Sequence, residues 1–252
     1  MSDDRPTLPR EEIEWIRRTR RHPRPTQPDF LVLRRLLQYV SAALRRLDGG
    51  GAGLEVLDVF CGTRPYEDLM PAGSRVTGYD IDDRYGSADV TGDEFLPFDD
   101  AAFDLIFFAE GFHYSPDPVE AAAELLRIAR PGGQMIVTLP LVWPYHRDHL
   151  EHRFTAPELA GVFERAGWEG VETAEIGGHA VSWALLSGRI MHSVEEYARA
   201  HSRLAWRARL LFGAAYLAIN VIAGIADRFE RRFWHPEPHV LPADMILTAR
   251  KR

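Results

Sequence analysis

Cysteine and lysine are almost missing from this chain. Cys61 is the one thiol among 252 residues, and Lys251 is the one lysine. A single thiol excludes an internal disulfide and a cysteine-built zinc site, and it suits a reducing compartment. Cys61 itself has two readings, a nucleophile or a small apolar filler, and the filler is preferred. With lysine reduced to one residue, arginine carries the positive charge, which we read mainly as codon bias. Positive charge is not in excess either. The 30 basic residues face 37 acidic ones, for a net charge of -7. That balance argues against a nucleic-acid footprint over the whole chain. The polar N-terminus lacks the apolar core of a secretory signal, so a cytoplasmic location is expected.

What is present suffices for a large core, with 46% hydrophobic and 27% charged residues. Residues 1–27 are rich in charge and proline. Glu11 to Arg21 reads as a short helix, and its arginines (Arg17, Arg18, Arg20, Arg21, with Arg24 beyond) read as a solvated, partly disordered arm. Phosphate or membrane contact is the second reading of those arginines. Phe30 to Leu47 has helical periodicity and is stopped by Asp48-Gly49-Gly50-Gly51. Strands and helices then alternate, which predicts a parallel sheet covered on both faces. The expected strands are Leu54 to Val59, Val76 to Asp80, Ala88 to Val90, Phe103 to Ala109, Gln134 to Leu139, Val171 to Ile176 and Asp244 to Arg250. Helices are expected at Pro118 to Ala129 and Pro157 to Ala166.

Val56-Leu57-Asp58-Val59-Phe60-Cys61-Gly62-Thr63-Arg64-Pro65-Tyr66 reads as a buried strand that runs into a tight turn. About twenty residues later the second strand ends in Asp80, the spacing of a nucleotide-binding βαβ unit. In such a unit the turn backbone approaches the ligand, and the second acid can bond ribose hydroxyls.

These segments resemble the class I S-adenosylmethionine-dependent methyltransferases of the "type 11" methyltransferase-domain kind. Four stretches carry the likeness: Val56 to Tyr66, Gly78 to Asp82, Leu96 to Asp104 and Leu126 to Gly133. The resemblance implies S-adenosylmethionine as cofactor. It places Asp58 and the Cys61-Gly62-Thr63 backbone beside its methionine part, Asp80 at the ribose hydroxyls and Asp93 (or Asp89) at the adenine amino group, with Phe60 and Ile81 also among the cofactor-binding residues. Glu110 to His113 would line the gap between cofactor and acceptor. Phe60 and Arg64 stand where the family commonly has glycines, so a non-catalytic scaffold at the membrane surface is the competing reading. A dehydrogenase is disfavoured, because Arg64-Pro65-Tyr66 replaces the glycine-rich phosphate cradle that a dinucleotide needs. The expected fold is α/β: a Rossmann-like, seven-stranded, mostly parallel sheet with helices on both faces. The polar arm (1–27) precedes it, and the methyltransferase domain (28–252) carries a helical insertion at about 179–241, before the last strand.

The loop after the fifth strand holds His146, Asp148, His149 and His152. It resembles a stretch in methyltransferases of glycan and cell-envelope synthesis. His146, Asp148 and His113 are the candidate catalytic residues, as bases toward an acceptor hydroxyl. The histidine spacing would share a face only on a helix, so no metal is expected. Thr155 with Glu158 makes a helix capping box. Leu210 to Ala226 is uncharged and flanked by arginines. It reads first as a packed lid helix and second as a membrane-surface helix, giving peripheral contact through 207–232 at the inner face of the membrane. The expected acceptor is a small molecule, a glycan or a lipid-linked intermediate, methylated at oxygen. No nucleic-acid partner is expected, and the oligomeric state is open.

Overall fold

The computed structural model describes residues 8–47, 53–81, 84–92, 96–144, 150–201, 205–233 and 241–252. Two helices come first, α1 (Arg10–Arg21) and α2 (Phe30–Arg46). The sheet strands are β1 (Glu55–Val59), β2 (Arg75–Asp80), β3 (Val90–Thr91), β4 (Phe103–Ala109), β5 (Ala129–Pro140), β6 (Glu169–Ile176) and β7 (Asp244–Arg250). Between them run α3 (Pro118–Ile128), α4 (Ala156–Arg165) and the helical pair α5 (His179–His201) and α6 (Ala205–Phe233).

The seven strands form one sheet in the order β3-β2-β1-β4-β5-β7-β6. The expected α/β, mostly parallel sheet is what the chain builds. Only β7 runs antiparallel, slotted between β5 and β6. β1 and β4 are buried on both sides, which explains their near-continuous apolar runs. Leu57, Val59, Phe108, Leu125, Phe163 and Trp168 fill one layer, under α3 and α4. Val56, Leu105, Phe107 and Ile136 fill the other, against Leu36, Val40 and Leu44 of α2. α3 begins where the Asp117 carboxylate accepts the Val119 and Glu120 N–H groups at 3.0 Å, with Pro118 in the first turn. The capping box of Thr155 and Glu158 starts α4. The lone lysine is a clasp: Lys251 Nζ donates to the carbonyls of Leu126 and Ala129 where α3 runs into β5.

The arm differs from expectation. α1 docks on the turn after β1: Arg17 Nε donates to the Thr63 carbonyl at 2.6 Å, Arg21 pairs with Asp68, and Ile13 is buried. The sequence shows the arginines but not the carbonyl and carboxylate waiting for them.

Candidate active site

Strand order reverses at β1, which lies between β2 and β4. Ligands of open α/β sheets bind outside the carboxyl ends at such a switch point. Asp58 pairs in register with Gly78, and Asp80 lies two residues further along β2. Side chains alternate along a strand, so Asp58 and Asp80 share one face of the sheet, the α2 side.

The turn from β1 is held by backbone bonds: Cys61 N–H to the Tyr79 carbonyl at 3.0 Å, and Arg64 N–H to the Cys61 carbonyl at 2.8 Å. Gly62 N–H donates to Asp80 Oδ2 at 2.9 Å, and Ile81 N–H donates to Oδ1 at 2.9 Å. Ile81 is exposed beside that carboxylate. Phe60, Gly62 and Arg64 all have φ of 51–52°, the left-handed region that favours glycine. The chain therefore keeps a glycine-type turn with two side chains in it, at a strain of order 1–3 kcal/mol each.

Contacts hold both strained residues in place. The Phe60 ring packs edge-on against Phe108, 5.0 Å between centroids, and lies over Gly111, where a Cβ would collide with both rings. Phe108 belongs to the α3/α4 layer, so Phe60 turns away from the face bearing the two acids. The Arg64 guanidinium lies over Gly78 and bonds the Val76 carbonyl and Asp89 at 2.9 Å. Val76 precedes the end of β2, so this guanidinium lies below the crevice rather than in it. Asp89 Oδ2 also accepts the Gly78 N–H at 2.8 Å, which ties this carboxylate to the β2–β3 pairing.

The Asp58 carboxyl is buried, and its Oδ2 lacks a hydrogen-bond partner among the described residues. Burial pushes its pKa well above the usual carboxylate range, with Glu67 and Asp80 adding to the rise and Arg64 opposing it. Burial also pushes the Cys61 thiol up, with Asp58 and Asp80 adding, so it is a poor nucleophile and serves as the expected filler.

The sequence pointed to Glu110 but not to its carboxyl partner, Asp244. Glu110, at φ 59° just after β4, accepts the Thr138 hydroxyl at 2.8 Å and is hydrogen-bonded to Asp244, the first residue of β7. Two carboxyls that bond each other hold a proton between them. Desolvation raises both pKa values, and the neighbouring Glu110 charge raises that of Asp244 further. The Tyr66 hydroxyl, also without a partner among the described residues, feels the charges of Glu110, Asp244 and Asp58.

His113 is buried in the short turn after β4, its ring tilted against Tyr114, and its carbonyl accepts the His152 N–H at 2.8 Å. That bond folds Glu151 to Phe154 back over the end of β4. His152 stacks on Phe154, and its buried Nε2 has no partner among the described residues. His146, Asp148 and Asp93 lie outside the described residues. Among the described residues no His/Cys/Asp/Glu group is arranged to hold a metal.

Comparison with known proteins decides the family. Residues 29–173 match the model of a methyltransferase domain. The chain belongs to the class I S-adenosylmethionine-dependent methyltransferases. A probable S-adenosylmethionine-dependent methyltransferase of Mycolicibacterium smegmatis is 28% identical over 195 residues, 68% of this chain and 74% of that one. A demethylmenaquinone methyltransferase of Renibacterium salmoninarum is 31% identical over 133 residues. That match takes in 44% of this chain and 54% of the relative, so the chain spans about half of it. Among solved structures, a putative sarcosine dimethylglycine methyltransferase from Galdieria sulphuraria has a TM-score of 0.55 at 15% identity, covering 87% of this chain and 86% of that one. The cyclase SpnF has 0.54 at 19% identity, covering 86% and 80%. Likeness at these identities shows the fold, which different chemistries share.

The cofactor of this methyltransferase is S-adenosylmethionine, and the crevice suits it. A sulfonium is a cation, and Asp58, Asp80, Glu110 and Asp244 make the carboxyl edge acidic. Asp58 Oδ2, which has no partner among the described residues, is a buried acceptor suited to a donor or a positive charge.

Proposed function

We propose that this methyltransferase acts on an oxygen of a small-molecule, sugar or lipid-linked acceptor. The Glu110–Asp244 pair carries this reading. A hydroxyl acceptor loses a proton as its oxygen gains the methyl group, and a carboxyl pair that shares one proton keeps one negative charge, whose oxygen is suited to take it. When bound, S-adenosylmethionine supplies a methyl group already activated by the positive sulfur.

The chain's own residues then have separable tasks. Asp80, placed at the end of β2 by the Gly62 and Ile81 N–H groups, accepts the ribose hydroxyls. The Cys61-Gly62 backbone closes against the methionine part. Asp58 balances positive charge from a water-poor position, where charge interactions are strong. Holding acceptor oxygen and methyl carbon in line supplies much of the rate. His113 and His152 wall the acceptor side, with His146 and Asp148 as further candidates there and Asp93 as a candidate at the adenine.

The test is a donor-dependent methylation assay over soluble and lipid extract fractions, followed by the Glu110→Gln and Asp244→Asn variants. A fall in kcat at saturating cofactor supports the proton-accepting role. Unchanged kcat in both variants would remove it.

A further inference from the structure

α6 carries polar side chains on its buried face and leaves a long apolar face exposed. Its inward face mixes apolar residues, Ile219 and Ala223 packed against Leu31, Val32 and Val181, with polar side chains that reach specific partners. Tyr216 donates to Glu195 at 2.8 Å, Asn220 Nδ2 donates to the Pro25 and Gln27 carbonyls at 2.8 and 2.9 Å, and Asp227 pairs with Arg35 of α2. Its outward face carries Leu211, Leu217, Val221, Ile222, Ile225 and Phe229, 43–70% exposed. From Arg209 to Phe233 the helix is long and apolar enough to cross a membrane, yet only 22% of its apolar stretch is buried. α5 adds a second stripe, Trp183, Leu186, Ile190, Val194 and Tyr197, at helical steps of three and four. A bare apolar surface on this scale marks a binding face.

A bilayer crossing by α6 conflicts with these contacts. Asn220 and Asp227 tie the middle of the helix to Pro25, Gln27 and Arg35. The helical pair also leaves from β6 and returns to β7, neighbours in one sheet. Charge separates the other two occupants, a second copy and a lipid surface. Arg207 and Arg209 precede the apolar run, and Arg228, Arg231 and Arg232 follow it. The two acids of α6 are already used, Asp227 by Arg35 and by Arg231 of the same helix at 3.4 Å, and Glu230 by His179. A two-fold contact between antiparallel copies would set arginine ends against arginine ends. Anionic headgroups complement both ends at once.

We propose that the α5–α6 pair seats the protein on an anionic membrane surface. The pair adjoins the crevice: Arg189 of α5 lies over the ring of Trp143, in the loop after β5, at 4.0 Å. Taken with the proposed methyl transfer, on which this extension rests, the acceptor class is a lipid-linked molecule presented at the bilayer surface.

Flotation of the purified full chain tests the seat, using phosphatidylcholine vesicles with and without phosphatidylglycerol. Flotation that requires phosphatidylglycerol, and that falls roughly tenfold or more in an Ile222→Glu/Phe229→Glu variant, supports it. Calorimetry with S-adenosylmethionine on the same preparations shows that the variant is folded. No flotation of the parent chain while it still binds cofactor overturns the membrane seat and leaves the reaction standing. A lipid-free dimer that the variant dissociates, without flotation of either protein, overturns it in favour of a second copy. Flotation without cofactor binding keeps the seat and overturns the reaction.

Discussion

The carboxyl of Asp244 is hydrogen-bonded to the carboxyl of Glu110, joining the start of the last strand to the end of β4. Neither residue could reach the other if β7 lay at the sheet edge. The antiparallel insertion of β7 beside β5, with Asp244 opposite Pro140, creates the pair.

This pair makes stability depend on pH with a definite sign. Both folded-state pKa values are raised, so the folded chain holds more protons than the unfolded one. Stability is then fully present below the ordinary carboxyl values of 3.8 and 4.5, and it falls as pH rises through the raised ones. Urea unfolding across about pH 4–8 should show that decline, and Asp244→Asn, whose amide donates without needing the shared proton, should flatten it. Affinity for the cationic cofactor should rise over the same window, because ionised acids bind it better.

Phe60→Gly separates strain from packing. Glycine relieves a left-handed residue, worth about 1–2 kcal/mol. Losing the half-buried ring and its contact with Phe108 costs more, about 2–4 kcal/mol together. We expect a net destabilisation of roughly 1–2 kcal/mol in urea unfolding, with cofactor affinity unchanged within about threefold. A large gain in affinity would mean that the ring obstructs the crevice.

Arg17→Ala removes the donor to the Thr63 carbonyl. The loss should be about 1–2 kcal/mol. It should speed proteolysis within α1 before the rest of the chain, because α1 is the element released. Proteolysis at an unchanged rate would show that other contacts hold the arm.

Asn220→Leu tests the polar inner face of α6. The substitution leaves the Pro25 and Gln27 carbonyls without their donor and should destabilise by about 1–3 kcal/mol. On an ordinary amphipathic helix, leucine at an inward position would stabilise, so the sign of the change in urea midpoint decides.

Much of this was legible in the sequence. Alternation of strand and helix and the Asp58–Asp80 spacing gave the sheet, and the β4 and β7 boundaries agree with the periodicity, whereas β5 starts at Ala129, five residues before the expected Gln134. What stayed hidden depends on distant partners. Asp244 reads as nothing more than a strand start until the topology sets it beside Glu110. The arm's arginines read as solvated because the Thr63 carbonyl and Asp68 are not a pattern. Phe60 and Arg64 read as obstructions, since a sequence does not show that Gly78 and Gly111 make room for their side chains. The apolar run of α6 was plain, whereas the hydrogen bonds that assign its polar face inward were not.

The acidic crevice is the centre of the account, and titration calorimetry with S-adenosylmethionine and S-adenosylhomocysteine addresses it directly. The prediction is saturable micromolar binding of both, weakened about 10–100-fold in Asp80→Ala, the loss expected for charge-assisted hydrogen bonds to the ribose. No heat at millimolar ligand from a folded preparation, or an Asp80→Ala variant that binds as well as its parent, would contradict it.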